Sequence, residues 1–328
     1  MKIAFDAGHP FHWADGGIRV LCERVFHSLE KRGVDVQPVR WWDKEQKYDV
    51  LQAFYYPNNV TRYSLAKGVK TVAYTCLDGL TSRSPLMSRI GGLEIALYRN
   101  FRPSVADRLG YRMSEIASGF VVPAQGEVAY LEKLFGVSPR RVHTILHGVD
   151  DIYRHDRWVG NADYLVSVGA ICARKNSLLL AKVANALKIP VIFIGRLHDT
   201  DSAYLSLFQK EINNKYVTHL SNVDDAEKIR YLTQARALVT LSKGESGGIS
   251  NLEAIAMGVP VILPNYDWAT LTYSNYASYV QMGSFKTVLN SFTAALQQVK
   301  APDGFHVPTW DEVADKYFSV YETVLESK

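Results

Sequence analysis

Gly244-Glu245-Ser246-Gly247-Gly248-Ile249-Ser250-Asn251-Leu252-Glu253 is the stretch on which the reading of this chain turns. It follows a β-rich run, residues 237–242, and feeds a helix-forming segment, residues 251–257, that stops at Gly258 and Pro260. Strand, glycine-bearing turn and helix start, in that order, aim backbone N–H groups and a positive dipole end at an anion, typically a phosphate. Two carboxylates eight residues apart, Glu245 on the turn and Glu253 in the first helical turn, accompany those donors. Carboxylates do not bind phosphate; they accept hydrogen bonds from the hydroxyls of a sugar or ribose. Phosphate donors beside hydroxyl acceptors suggest a nucleotide-sugar.

Outward from that stretch the same rhythm repeats. Residues 164–168, 191–194, 217–220, 238–241 and 260–263 are short apolar runs, separated by helical segments such as 177–187 and 226–235. An earlier series, residues 2–6, 34–39, 48–54, 69–75, 119–123 and 141–146, reads as buried strands in the first half. Between its first two members lies a helix with apolar residues at Ile18, Leu21, Cys22, Val25, Phe26 and Leu29, one amphipathic stripe ended by Gly33. Strands alternating with helices predict an α/β chain with parallel sheets covered on both faces. The polar, aperiodic residues 150–160 read as a hinge between two doubly wound, Rossmann-like domains facing across a cleft. The expected limits are 1–156, 157–306 and a C-terminal helix, 307–328, that crosses back to the first domain. Thr309-Trp310-Asp311-Glu312 is a capping box, and Trp310, Val313, Tyr317, Val320, Tyr321, Val324 and Leu325 form one apolar face. Ligands of such sheets sit outside the carboxyl ends of the strands, where the glycine-bearing turns fall.

Composition sets the bounds. At 328 residues, 47% hydrophobic and 21% charged, the chain suits two ordinary globular domains. Cys22, Cys76 and Cys172 are scattered and lack C-x-x-C spacing, which predicts a reduced, cytoplasmic protein without disulfides or zinc. Neither a signal peptide nor a spanning segment is expected. Net charge is +4, with +5 in residues 1–150 and −1 in the remainder. Arg83, Arg89, Arg99, Arg102, Arg108 and Arg112 are interleaved with Leu86, Met87, Leu97, Tyr98 and Phe101. A solvated helix face is the plain reading. A peripheral contact with anionic lipid on the cytoplasmic membrane face, or with a phosphorylated acceptor, is the functional one. No basic stripe of the nucleic-acid-binding kind is present, so no nucleic-acid partner is expected.

The run from Glu245 through Glu253 to Ala254-Ile255-Ala256-Met257-Gly258-Val259-Pro260-Val261 resembles the E-x7-E signature of retaining GT-B glycosyltransferases of the family 4 type. Gly16-Gly17 in the first loop, His147-Gly148-Val149-Asp150 before the hinge, Arg174-Lys175-Asn176 after a strand and the Trp-led last helix extend the resemblance over nearly the whole chain. It implies a hexosyl transfer with retention, from a nucleotide diphosphate sugar to a glycan or lipid-linked acceptor, in cell-surface polysaccharide or glycoconjugate synthesis. It further implies that Glu245 accepts from donor-sugar hydroxyls, that Ser246, Gly247, Gly248 and Ile249 hold sugar and diphosphate, and that Glu253 binds ribose. Arg174 and Lys175 would neutralise the leaving diphosphate without a metal or other cofactor. Gly16 and Gly17 would let the first-domain backbone approach the phosphates, and Asn222 and Val223 would lie where the base stacks. Two positions depart from the family: Ala170 follows Gly169 where an arginine is usual, and Asp78 stands where a histidine is usual. Arg174 and Asp78 are the candidate replacements.

Rival readings attach to the same residues. Ser250-x-x-Glu253 is itself a capping-box pattern. Gly244-x-Ser246-x-Gly248 matches the nucleophile elbow of α/β-hydrolases, which would need His306 and Asp267 or Asp303 as partners. Asp199-Thr200-Asp201 is a D-x-D, the metal-diphosphate motif of the other main glycosyltransferase fold. A catalytically degenerate sugar-nucleotide-binding subunit is the non-enzymatic alternative.

Overall fold

A computed structural model describes residues 1–7, 16–40, 42–54, 59–77, 85–198 and 202–327. They form two compact units, Met1–Gly148 with Pro308–Lys328, and Val149–Val307.

The first unit is built on a six-stranded parallel sheet in the order β2-β1-β3-β4-β5-β6. Its strands are β1 (Lys2–Asp6), β2 (Asp35–Pro38), β3 (Val50–Phe54), β4 (Lys70–Tyr74), β5 (Gly119–Val122) and β6 (Val142–Thr144). All five residues of β3 and all four of β5 are buried, as near-continuous apolar runs in a two-sided parallel sheet should be. β6 is the edge strand and stays half open, which differs from the expectation of a buried run there. The helix Gly17–Lys31 buries the expected stripe of Leu21, Cys22, Val25 and Leu29.

The last helix, Trp310–Glu326, starts at a complete capping box between Thr309 and Glu312. Trp310, Val313, Tyr317, Val320, Tyr321 and Val324 join the same core as Leu21, Val25 and Leu29 of the first helix. Full burial of each large side chain contributes about 1.5–3 kcal/mol, so this helix is part of the core rather than an appendage. The Tyr321 hydroxyl donates to Gln52 Oε1 at 3.0 Å and so satisfies two buried polar groups at once. Gly148 makes room for the helix start: a Cβ there would lie 2.8 Å from the Trp310 ring and 2.9 Å from its backbone nitrogen. Leu325 departs from the expected face and is 40% exposed, because at 3.6 residues per turn it falls at the margin of the arc that Trp310 to Val324 define.

The second unit has its own six-stranded parallel sheet, in the order β12-β11-β10-β7-β8-β9. Its strands are β7 (Leu165–Val168), β8 (Val191–Ile194), β9 (Val217–Leu220), β10 (Ala237–Val239), β11 (Val261–Pro264) and β12 (Ser278–Val280). β12 is absent from the sequence reading, because Ser278-Tyr279-Val280 is too short and too polar to stand out. Pairing with β11, in the register Ile262↔Ser278, makes it a strand.

Residues 150–160 are not a free hinge. Tyr153 is buried, the Trp158 indole donates to Ala235 O at 2.8 Å, and Arg154 Nη2 donates to Val307 O at 3.0 Å, all within the second unit. Two aromatic anchors in an otherwise charged segment hold it down, and composition alone hid them.

Candidate functional site

In each sheet the chain reverses direction beside its first strand. In the first unit β2 lies on one side of β1 and β3 on the other; in the second, β8 lies on one side of β7 and β10 on the other. At such a switch point the loops leaving the two central strands diverge to opposite faces and leave a crevice for a ligand. Gly16 follows β1 with φ 118° and precedes the helix Gly17–Lys31, a backbone conformation that side-chain-bearing residues rarely adopt. In the second unit Arg174 and Lys175 follow β7, and the turn at residues 244–248 follows β10, the strand paired with β7. Topology therefore brings the two sequence-distant motifs to one crevice.

The turn is built for close backbone approach. Gly247 has φ 84° and Gly248 φ 48°, and a Cβ on Gly248 would lie 2.7 Å from Asn251 Nδ2. Gly248 is the N-cap of the helix Ile249–Ala256, which has no side-chain cap. That start comes two residues earlier than the sequence suggests, and it removes the capping-box reading. Ser250 Oγ donates to Val168 O at 3.4 Å, and Glu253 is engaged elsewhere. The Asn251 N–H donates to Gly248 O at 2.8 Å, and the backbone donors at Gly248–Ser250 are the anion-seeking end of that helix.

Three contacts weld the turn to the loop after β7. Arg174 Nη1 donates to Gly244 O at 2.9 Å, the Lys243 N–H donates to Arg174 O at 2.9 Å, and Lys175 Nζ donates to Glu245 Oε1 at 2.5 Å. Arg174 Nη1 lies 3.7 Å from Glu245 Oε2, and Ser242 Oγ donates to Glu245 Oε1 at 2.5 Å. Burial by itself would raise the Glu245 pKa; the charges of Lys175 and Arg174 and the two hydrogen bonds outweigh it and hold the carboxyl below the usual range. Glu245 is therefore a fixed carboxylate at neutral pH. Cations just before the helix Ser177–Leu187 oppose its dipole. Glu245 offsets one of them, and the Arg174–Lys175–Glu245 group keeps a net charge of +1 at the switch point.

Glu253 sits in a second cluster that the sequence did not disclose. Lys228, on the helix Asp225–Gln234, lies 3.3 Å from Glu253 Oε2 and 3.0 Å from Asp225 Oδ1. Its ammonium stands 4.8 Å over the Tyr153 ring, and the Tyr153 hydroxyl donates to Asp225 Oδ1 at 2.8 Å. Burial raises the Glu253 pKa more than Lys228 lowers it, so this carboxyl titrates above an ordinary glutamate. The two glutamates of the motif thus have opposite electrostatics. Asn222 and Val223 follow β9 and lead into the N-cap Asp224 of the helix carrying Lys228, which ties their loop to the Glu253 cluster. No spacing rule in the sequence links Tyr153, Asp225, Lys228 and Glu253.

Other expectations resolve differently. Asp78 and the Asp199-Thr200-Asp201 motif lie outside the described residues. Among the described residues no group of three or more His, Cys, Asp or Glu side chains is arranged to hold a metal. His147 is a structural residue: it is buried, its Nε2 lies 2.9 Å from the Tyr74 hydroxyl, and burial lowers its pKa to about 4.

Residues 150–276 match the family model described as Glycosyl transferases group 1, a span that contains Arg174, Lys175 and the whole 244–253 motif. That match takes in 127 of the 328 residues and makes this part of the chain similar to the group 1 glycosyl transferases. Solved structures extend the likeness in fold over the full length of this chain. AviGT4, a glycosyltransferase involved in avilamycin A biosynthesis, is 15% identical with a TM-score of 0.68, over 100% of this chain and 98% of that one. Sucrose-phosphate synthase from Thermosynechococcus elongatus is 14% identical with a TM-score of 0.68, over 98% and 96%. Anabaena Alr3699/HepE, in complex with UDP and glucose, is 13% identical with a TM-score of 0.61, over 100% and 99%. The fold is GT-B, with two units of the Rossmann-like kind. A search of curated proteins finds no sequence match.

Proposed function

We propose that the protein moves a hexose from a nucleotide diphosphate sugar to a hydroxyl of a glycan or lipid-linked acceptor, with retention at the anomeric carbon. The observation that carries this reading is the joining of Arg174 and Lys175 to the Gly244–Glu245 turn at the switch point of the second sheet. Fixed cations and open backbone N–H groups suit a diphosphate, and the neighbouring carboxylates suit hydroxyls.

Each residue then has a task. The N–H groups of Gly247, Gly248 and Ile249, with Ser246, hold the sugar and diphosphate. Arg174 and Lys175 stabilise the charge that grows on the β-phosphate as the anomeric C–O bond breaks, an electrostatic contribution that needs no metal. Glu245, kept ionised by its partners, accepts from sugar hydroxyls. Glu253 accepts from the ribose hydroxyls, while Lys228 holds its carboxylate in place, and Asn222 and Val223 border the base. The acceptor hydroxyl attacks from the face the diphosphate is leaving; its proton passes to the departing phosphate oxygen as the new C–O bond forms. AviGT4 is by its description a glycosyltransferase and Alr3699/HepE holds UDP and glucose, which supports donors of this class.

A panel of UDP-, GDP- and ADP-sugars tests the reading by thermal shift and by slow donor hydrolysis, with and without chelator. One nucleotide series should stabilise the protein, and chelator should leave that unchanged. No stabilisation by any nucleotide overturns the reading; loss with chelator and recovery with Mn²⁺ overturns its metal independence and returns attention to Asp199-Thr200-Asp201.

A further inference from the structure

Residues 83–112 carry six arginines against Glu94 and Asp107, a net +4 that equals the charge of the entire chain. The helix Pro85–Phe101 within this segment is anchored on one side only. Ile95 is buried in a core with Met113, Leu131, Leu134 and Phe135. Away from Ile95, Met87, Ile90, Leu93, Leu97 and Phe101 are 51%, 49%, 67%, 58% and 76% exposed. At 3.6 residues per turn these five fall in an arc of about 120° along a helix roughly 25 Å long. A buried helix face opposite an exposed apolar one is not what solvation alone selects.

Charge surrounds that stripe. Arg102 lines the same shallow groove as Ile90, Leu93, Leu97 and Phe101. Arg89, Arg102 and Arg108 are exposed, and none has an ion-pair partner among the described residues. Two of the other arginines are occupied. Arg112 pairs with Glu115 and Asp107, and the Arg99 guanidinium packs where a Cβ on Gly136 would meet it at 3.2 Å.

We propose that this face docks in the plane of an anionic bilayer, its apolar stripe at the acyl boundary and Arg89, Arg102 and Arg108 on headgroup phosphates. An exposed apolar arc with flanking arginines, set against Glu94 and an Asp107 already paired with Arg62 and Arg112, is the chemistry of an in-plane helix. A second copy of the chain is disfavoured as occupant, since a symmetric interface would bring six arginines together. No helix among the described residues is long and apolar enough to span a membrane, so docking is peripheral.

The test sediments the full chain with vesicles of phosphatidylcholine, alone and mixed with phosphatidylserine. Binding should need the anionic lipid and weaken with salt. At about fivefold per arginine, Arg89→Glu, Arg102→Glu and Arg108→Glu combined should lower partitioning roughly a hundredfold or more. Leu93→Ser with Leu97→Ser should also abolish it, although charge is unchanged. Far-UV circular dichroism and a cooperative melt at the parent's temperature serve as the folding control in both variants. The proposal is overturned by absent binding at low salt, by binding that survives either variant, or by a lipid-independent dimer that Leu93→Ser with Leu97→Ser dissolves.

Discussion

Replacing Glu253 by alanine separates a ligand-binding carboxylate from a structural one. In the free protein Glu253 is held by Lys228 at 3.3 Å, and Lys228 keeps a second partner, Asp225, at 3.0 Å. Losing the carboxylate therefore does not strand a buried cation, and the stability cost should stay near the lower end of the range for a lost buried partner, about 1 kcal/mol. No helix cap is lost, because the helix Ile249–Ala256 starts at Gly248 without one. If the ribose hydroxyls donate to Glu253, nucleotide binding loses charged hydrogen bonds of about 1.5–3 kcal/mol, roughly ten- to 150-fold in Kd. A pH signature accompanies this. Burial places the Glu253 titration above that of an ordinary glutamate, so nucleotide affinity should weaken as pH falls through that raised value. Glu253→Gln should lack this component, and the comparison cancels titration of the nucleotide's own phosphates. Titration calorimetry with UDP, GDP and ADP, beside melting curves, provides the readout. An alanine variant with a lower Tm but affinity within twofold of the parent would refute the ribose assignment.

Three further outcomes follow from the same geometry. Glu245 has a depressed pKa, so its contribution to stability is present above the ordinary value of about 4.5 and is lost as pH falls through the folded value. Urea titrations from pH 7 downward should show Glu245→Gln destabilised at pH 7 and with a shallower acid limb; identical limbs would contradict the ion-pair account. Ser246→Ala should keep nucleotide affinity and transfer within a few-fold, because the backbone holds the donor, whereas a hydrolase would lose all activity in an esterase assay. Gly148→Ala places a methyl 2.8 Å from the Trp310 ring and should destabilise the first unit by about 1–3 kcal/mol in urea unfolding. An unchanged midpoint would show that the last helix can give way.

Much of this architecture is legible in the sequence because parallel strands buried on both faces must be continuous apolar runs. That rule locates β1, β8 and β9 to the residue, and it fails at β12, whose identity comes from pairing with β11 rather than from its own residues. The glycine turn and the last helix are equally legible, since positive φ and capping demand particular residues. What stays hidden is contact between distant segments. Lys175 meets Glu245 and Lys228 meets Glu253 only once the sheet order is known. Ser250-x-x-Glu253 shows the converse: its spacing satisfies the capping rule, yet the helix begins at Ile249 and the carboxylate turns to Lys228 instead.

The stereochemistry of donor hydrolysis reports directly on transfer with retention. With the stabilising nucleotide-sugar identified, proton NMR of the first sugar released shows its anomeric configuration before mutarotation. The donor's own configuration should appear first, with release lost in Arg174→Ala with Lys175→Ala while the fold is kept. Sugar released first with inverted configuration, or release that survives the loss of both cations, would contradict it.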